Sequence, residues 1–273
     1  MTSTVADIIG VMDSLAPQYL AETWDNPGLQ VGSYDWPVKK VMVALDPSLK
    51  VLKNSIEEAA DMLITHHPLL LKPIRSIDMG TPVGRIIGMA IQNHLSVFSA
   101  HTNLDSAVDG LNDILASHIG LKNVSILDAD DETLASSSEN MYGLGRIGNL
   151  SCQTDLSSLC RFLKQTLHLE SIRMIGSPQL PVSRVAVCSG SGSSLLDRFF
   201  KSGAHVFITG DVKYHDARNA EEMGVALIDI GHFHSEHLVV KSLSIRLSEL
   251  LQTIDPDISI HACEVEKDPF IVF

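Results

Sequence analysis

A chain of 273 residues has room for one large domain or for two units of roughly 130 residues, each able to bury its own core. Apolar residues at 45% and charged residues at 19% exclude a disordered or fibrous protein. The net charge of −13, with 20 basic residues scattered rather than clustered, argues against broad nucleic-acid binding, although a local pocket can still take a nucleotide.

Residues 1–10 carry no basic, apolar leader pattern, and no apolar run approaches the ~20 residues of a membrane span, so a cytoplasmic protein without a membrane partner is predicted. Cys152, Cys160, Cys188 and Cys263 show no CxxC spacing and sit away from the histidine motifs, which argues against a disulfide framework or a thiolate zinc site. Trp24 and Asp25 occupy a Gly/Pro-containing loop that either walls a cavity or packs the indole beside a turn-forming Asp. Next, Val41 to Leu45 predicts a strand, Asp46-Pro47-Ser48 a helix start, Leu49 to Ala60 a helix and Met62 to Ile64 a second strand. This β-α-β unit ends in His66 and His67, ahead of Pro68, which removes a ladder donor and turns the chain out of the sheet.

Asp128-Ala129-Asp130-Asp131-Glu132 and Ser136-Ser137-Ser138 predict a surface connection. It divides the chain into a first α/β unit at 1–127, a connection at 128–145 and a second α/β unit at 146–273. The second part repeats the pattern: a strand at Val185 to Cys188, a Gly-rich turn at Ser189 to Gly192, a helix through Leu195 to Lys201 with a stop at Gly203, and a strand at Val206 to Ile208. Such a turn can cradle phosphate on its N–H groups, but it lacks the Lys of a P-loop and the full GxGxxG spacing, so a plain tight turn is the preferred reading.

Two alignments tie the parts together. The stretch from Val41-Met42-Val43 to Ile64-Thr65-His66-His67 lines up without a gap on Val185-Ala186-Val187 to Ile208-Thr209-Gly210-Asp211. A β-rich run ending in His, followed four residues later by a carboxylate, occurs as His101 with Asp105 and again as His232 with Glu236. The chain reads as an internal duplication whose retained residues can bind metal. Each His/carboxylate pair can reach one ion, from one helical face or around one tight loop. His66 and His67 fall at the carboxyl edge of an α/β sheet, where ligands usually bind, though a His pair alone can equally cap or hydrogen-bond at the surface. This many N/O groups predict two ions among Zn, Mn, Fe, Co and Ni, and the two oxygens of a Glu can bridge ions about 3.5–4 Å apart. A mononuclear site or a structural His cluster is the alternative. Asp211 and His215 follow the matching strand in the second half and can orient ligands or shuttle protons, while a local turn bond is open to Asp211.

The stretches Thr23-Trp24-Asp25-Asn26-Pro27-Gly28-Leu29-Gln30-Val31-Gly32, Ile64-Thr65-His66-His67-Pro68, His101-Thr102-Asn103-Leu104-Asp105, Thr209-Gly210-Asp211-Val212-Lys213-Tyr214-His215 and Gly231-His232-Phe233-His234-Ser235-Glu236 resemble, in order, those of the dinuclear-metal-centre family. Its members are called NGG-one-interacting-factor-three-like proteins, or GTP cyclohydrolase 1 type 2 homologs. The resemblance implies two related α/β lobes facing each other around a metal site, with no inserted extra domain, assembled as a homohexamer. It implies that His66, His67, Asp105, His232 and Glu236 ligate two divalent cations, with Glu236 bridging and His101 an additional histidine beside them. The implied activity is metal-dependent hydrolysis of a small-molecule substrate, a nucleotide among the candidates: the imidazole ring of GTP is opened and formate released, with His101 or His215 moving protons. A phosphoesterase or nucleotidase is the enzymatic alternative, because paired metals suit displacement at phosphorus equally well. A metal-handling or scaffold protein without turnover is the non-enzymatic one.

Overall fold

The structure is a computed structural model that describes residues 2–128 and 142–272. Most of the acidic, serine-rich connection, residues 129–141, lies outside the described residues. The fold is mixed α/β with two sheets, one in each of two compact units.

The first unit comprises Met1–Leu104 and Val239–Lys267. Its sheet contains β1 (Gly28–Val31), β2 (Lys40–Ala44), β3 (Met62–Thr65), β4 (Ser96–Ser99) and β11 (Ser259–Ala262), in the order β1-β4-β3-β2-β11. All pairings are parallel except that of β1 with β4. The helix Leu49–Glu57 crosses from β2 to β3; Ser48 starts it by accepting the Val51 N–H at 3.2 Å, and Ala59, at φ 53°, stops it short of the predicted Ala60. With the helix Pro82–Gln92 it buries Val51, Leu52, Ile86, Ile87 and Ala90 against Met42, Leu63 and Val97. Every residue of β3 and β4 is buried, as the near-continuous apolar runs of a parallel sheet covered on both faces require.

The second unit comprises Asp105–Leu238 and Asp268–Phe273. Its strands are β5 (Lys122–Ile126), β6 (Arg146–Asp155), β7 (Arg173–Ile175), β8 (Pro181–Ser191), β9 (Val206–Gly210) and β10 (Ala226–Asp229), ordered β5-β6-β8-β9-β10-β7. The central β8, β9 and β10 are parallel and the flanking pairings antiparallel. Alternation sorts their side chains: Val185, Val187, Val206, Ile208 and Ile228 pack with Leu115, Leu159 and Leu163 on one face, while Ala186, Cys188, Phe207 and Leu227 pack with Leu196 and Phe199 on the other. Val185 pairs with Val206 just as Val41 pairs with Met62, so the gapless alignment of the two stretches coincides with equal strand register.

The units do not divide at the predicted boundaries 1–127, 128–145 and 146–273. Residues 105–127 belong to the second unit, because the helix Leu111–Ile119 packs Leu115, Ala116 and Ile119 into its core and β5 pairs with β6. Residues 239–267 return to the first unit, because β11 extends its sheet beside β2. Among the described residues no helix is long and apolar enough to cross a membrane, and all four cysteines are free thiols.

Candidate metal centre

Parallel pairing of β3 with β4 sets Thr65 beside Ser99, so the residues just past both strand ends fall together. The Ala100 N–H donates to the Thr65 carbonyl (3.0 Å), the Ser99 hydroxyl to the His66 carbonyl (2.8 Å) and the His67 N–H to the Leu45 carbonyl (2.9 Å). On this stitched backbone three imidazoles converge. Ring centroids are 5.1 Å apart for His66 and His67, 5.1 Å for His66 and His101, and 5.5 Å for His67 and His101. One ligand nitrogen of each lies within 4.8 Å of the other two, a group that could bind a metal.

The outward nitrogens are fixed by oxygen acceptors. Nδ1 of His66 meets the Ala100 carbonyl at 2.9 Å, Nδ1 of His67 meets Asp46 Oδ1 at 2.8 Å, and Nδ1 of His101 meets Asp25 Oδ1 at 2.8 Å. A carbonyl or carboxylate oxygen only accepts, so Nδ1 carries the proton and, in the neutral ring, Nε2 carries the lone pair. Burial by itself would raise the Asp25 carboxyl; hydrogen bonds from His101 and Thr102, with the His101 charge, outweigh it and hold the group at about 2. Asp46 is steadied in turn by Glu266, whose oxygens accept the Leu45 and Asp46 N–H groups at 2.7 and 2.8 Å. Burial raises the Glu266 carboxyl against the pull of those two bonds.

The second unit builds a matching arrangement after β9 and β10. The short helix His232–Glu236 places Nε2 of His232 3.0 Å from Oε2 of the buried Glu236, four residues on, as the spacing predicts. Nδ1 of His232 meets Asp211 Oδ2 at 2.7 Å, so Asp211 orients the ring. Asp105, in the helix Thr102–Ser106, accepts the Ser189 hydroxyl at 3.2 Å, while its carbonyl accepts from the Asn112 amide at 3.0 Å. Burial, then the charges of Asp105 and Glu236, push the Cys188 thiol far up, which makes it a poor thiolate ligand.

The chain thus brings His66, His67 and His101 together, and His232 with Glu236. His215 is exposed on the helix Tyr214–Glu222, edge-on to Tyr214 with ring centroids 5.5 Å apart. Trp24 stands edge-on to His101 at 5.9 Å and is 58% exposed, a wall beside the histidines rather than a packed indole. His234 pairs with Asp268 at 3.3 Å, and His237 stacks on Phe233 at 4.6 Å. Sequence reasoning missed Asp46, Glu266, Ser189 and Asn112. Asp46 was legible in principle, since it sits two residues past the end of β2 at the same sheet edge as His67; the Ala100 carbonyl has no side-chain signal at all.

The family model described as Duf34/NIF3 (NGG1p interacting factor 3) matches residues 3–269. The chain belongs to this family. A Duf34/NIF3 relative in Clostridium acetobutylicum, named GTP cyclohydrolase 1 type 2 homolog, is 34% identical over 270 residues, with 99% of each chain covered. One of the same name in Clostridium perfringens is 34% identical over 264 residues, covering 97% of each. Among solved structures, a hypothetical protein of Staphylococcus aureus matches with a TM-score of 0.92 at 31% identity, and a Bacillus cereus protein related to NIF3 with 0.93 at 24%, both chains covered in full in each case. The second of these supports the Duf34/NIF3 fold alone.

Proposed function

We propose that this Duf34/NIF3 chain is a metal-dependent hydrolase with a dinuclear divalent-metal centre, acting on GTP or a related nucleotide in the manner its relatives' name suggests. The observation that carries the reading is the common setting of four histidines: His66, His67, His101 and His232 each engage a fixed oxygen through Nδ1. Metal-ligating imidazoles almost always donate their other N–H in this way, which fixes the ring and raises the basicity of the ligating nitrogen.

His66, His67, Asp105, His232 and Glu236 would hold the ions, and the two oxygens of Glu236 suit a bridge. Imidazole with carboxylate fits Zn, Mn, Fe, Co or Ni. Two bound divalent cations would supply positive charge that lowers the pKa of water and stabilises a developing oxyanion. His101, braced by Asp25, holds and passes a proton at Nε2; exposed His215 exchanges protons with solvent. The assembly proposed with this function is a homohexamer.

Metal content per chain, measured by mass spectrometry on untagged protein purified without chelators, tests the reading. About two transition-metal ions per chain, largely lost in Glu236→Ala, is the expected result, followed by formate release from GTP. Phosphate release from nucleotides instead would establish the phosphoesterase alternative. Absence of metal after reconstitution with Zn, Mn, Fe, Co and Ni would overturn the hydrolase and leave a binding or scaffold protein.

A further inference from the structure

Ser189 to Gly192, expected as a plain tight turn with a phosphate cradle as the less favoured reading, instead continues β8 as far as Ser191, and the N–H groups of Ser189, Gly190 and Gly192 are committed to side chains. The Ser189 N–H donates to Asn112 Oδ1 at 2.9 Å, that of Gly190 to the Ser235 hydroxyl at 2.8 Å and that of Gly192 to the Thr209 hydroxyl at 2.9 Å. Each acceptor is a buried side chain of the same unit.

What this segment does touch is the pair of acidic ligands. The Ser189 hydroxyl donates to Asp105 Oδ1 at 3.2 Å. Asn112, fully buried, closes a ring of bonds by donating to the Asp105 carbonyl while its own oxygen accepts from Ser189. Gly190 lies against the other carboxylate. A Cβ there would come 2.2 Å from Glu236 Oε1, well inside van der Waals contact, and a tight 3.3 Å from His232 Nε2. Its φ of +58° adds a second reason for glycine. The Gly190 N–H also holds Ser235, whose hydroxyl donates to the His232 carbonyl at 2.7 Å and so clamps the helix that bears both His232 and Glu236.

We infer that the Ser189–Gly192 segment at the C-terminal end of β8 is the positioning element for the two carboxylate ligands, setting Asp105 through the Ser189 hydroxyl and Glu236 through the missing side chain of Gly190. This rests on the dinuclear-metal reading above. Ser189 is a positioning residue: it acts through Asp105, by holding the orientation of that carboxylate.

The test is cobalt binding to chelator-stripped full-length protein, read as dissociation constants and as the visible d–d spectrum of Co²⁺. Ser189→Ala is expected to weaken one of two Co²⁺ sites by roughly 10–100-fold and to alter its spectrum, the scale on which groups just outside a metal's ligands act. Gly190→Ala is compared with Gly203→Ala, where φ is +73° and nothing lies within 4 Å of the added Cβ, so the same backbone strain is imposed without the carboxylate contact. Gly190→Ala is expected to lose Co²⁺ and Gly203→Ala to keep it. If Gly190→Ala fails to fold by circular dichroism, Ser189→Ala decides alone. Wild-type affinity and spectrum in Ser189→Ala, with wild-type protein binding two Co²⁺, would overturn the inference and leave the metal reading standing. Wild-type protein that binds no Co²⁺ would overturn both.

Discussion

Asp211 holds a left-handed backbone, φ 55°, while its carboxylate reaches Nδ1 of His232. The two properties separate in Asp211→Gly, because glycine adopts that backbone without steric cost and only the carboxylate is lost. Thermal stability of the metal-free variant is expected within about 1 kcal/mol of wild type, relieved strain offsetting the larger unfolded-state entropy. Its metal affinity, measured by competition with a chromophoric chelator, should fall roughly 10–100-fold. Unchanged affinity would mean that His232 needs no orientation by Asp211. At this scale the sequence was informative about residue types and silent about partners. The histidines and the four-residue spacing to Asp105 and Glu236 can be read directly, whereas Asp46 and Asp25 reach their histidines from 21 and 76 positions away.

At the scale of elements, the legible parts were those with strong local signals. Buried apolar runs marked β2, β3, β8 and β9, and Ser48 marked its helix start as a cap. The Ser189–Gly192 stretch was read as a plain tight turn; it instead continues β8 as far as Ser191, and side chains from three other elements claim the N–H groups of Ser189, Gly190 and Gly192, which no local pattern displays. Another cap gives a pH test. Asp155 starts the helix Leu156–Thr166, and hydrogen bonds from the Ser157 and Ser158 hydroxyls, then from the Ser158 N–H, hold its carboxyl well below the usual carboxylate range. A lowered folded-state pKa means that this stabilisation is complete above the unfolded value near 3.8 and is lost as pH falls through the folded value. Melting curves between pH 6 and pH 2 should show Asp155→Ala less stable than wild type at the upper end, with the gap closing below about pH 3.8. A gap constant across that range would show that the cap's charge contributes nothing.

For the whole molecule, the division into units makes a prediction that the boundary read from sequence does not share. A chain ending at residue 127 lacks β11 and the buried Val240, Leu243, Leu247 and Leu251 of the first unit, and it carries β5 without its partner β6. It is expected to show no cooperative melting transition by circular dichroism and to bind a hydrophobic dye, since an open parallel edge and an uncovered core remain. A fragment 1–127 that melts cooperatively would restore the predicted boundary.

The sequence by itself determined the α/β class, the family and the pool of metal-capable side chains, because apolar periodicity and short motifs are local properties of a chain. Tertiary structure alone decided which strand joins which sheet and which oxygen braces each histidine. Both depend on contacts between residues far apart in sequence, as when β11 returns to lie beside β2 and Asp25 buries its carboxylate under His101. Gly190, near the end of β8, shows both sides: a glycine there marks an unusual backbone, and only the packed structure shows that the space it leaves is filled by Glu236.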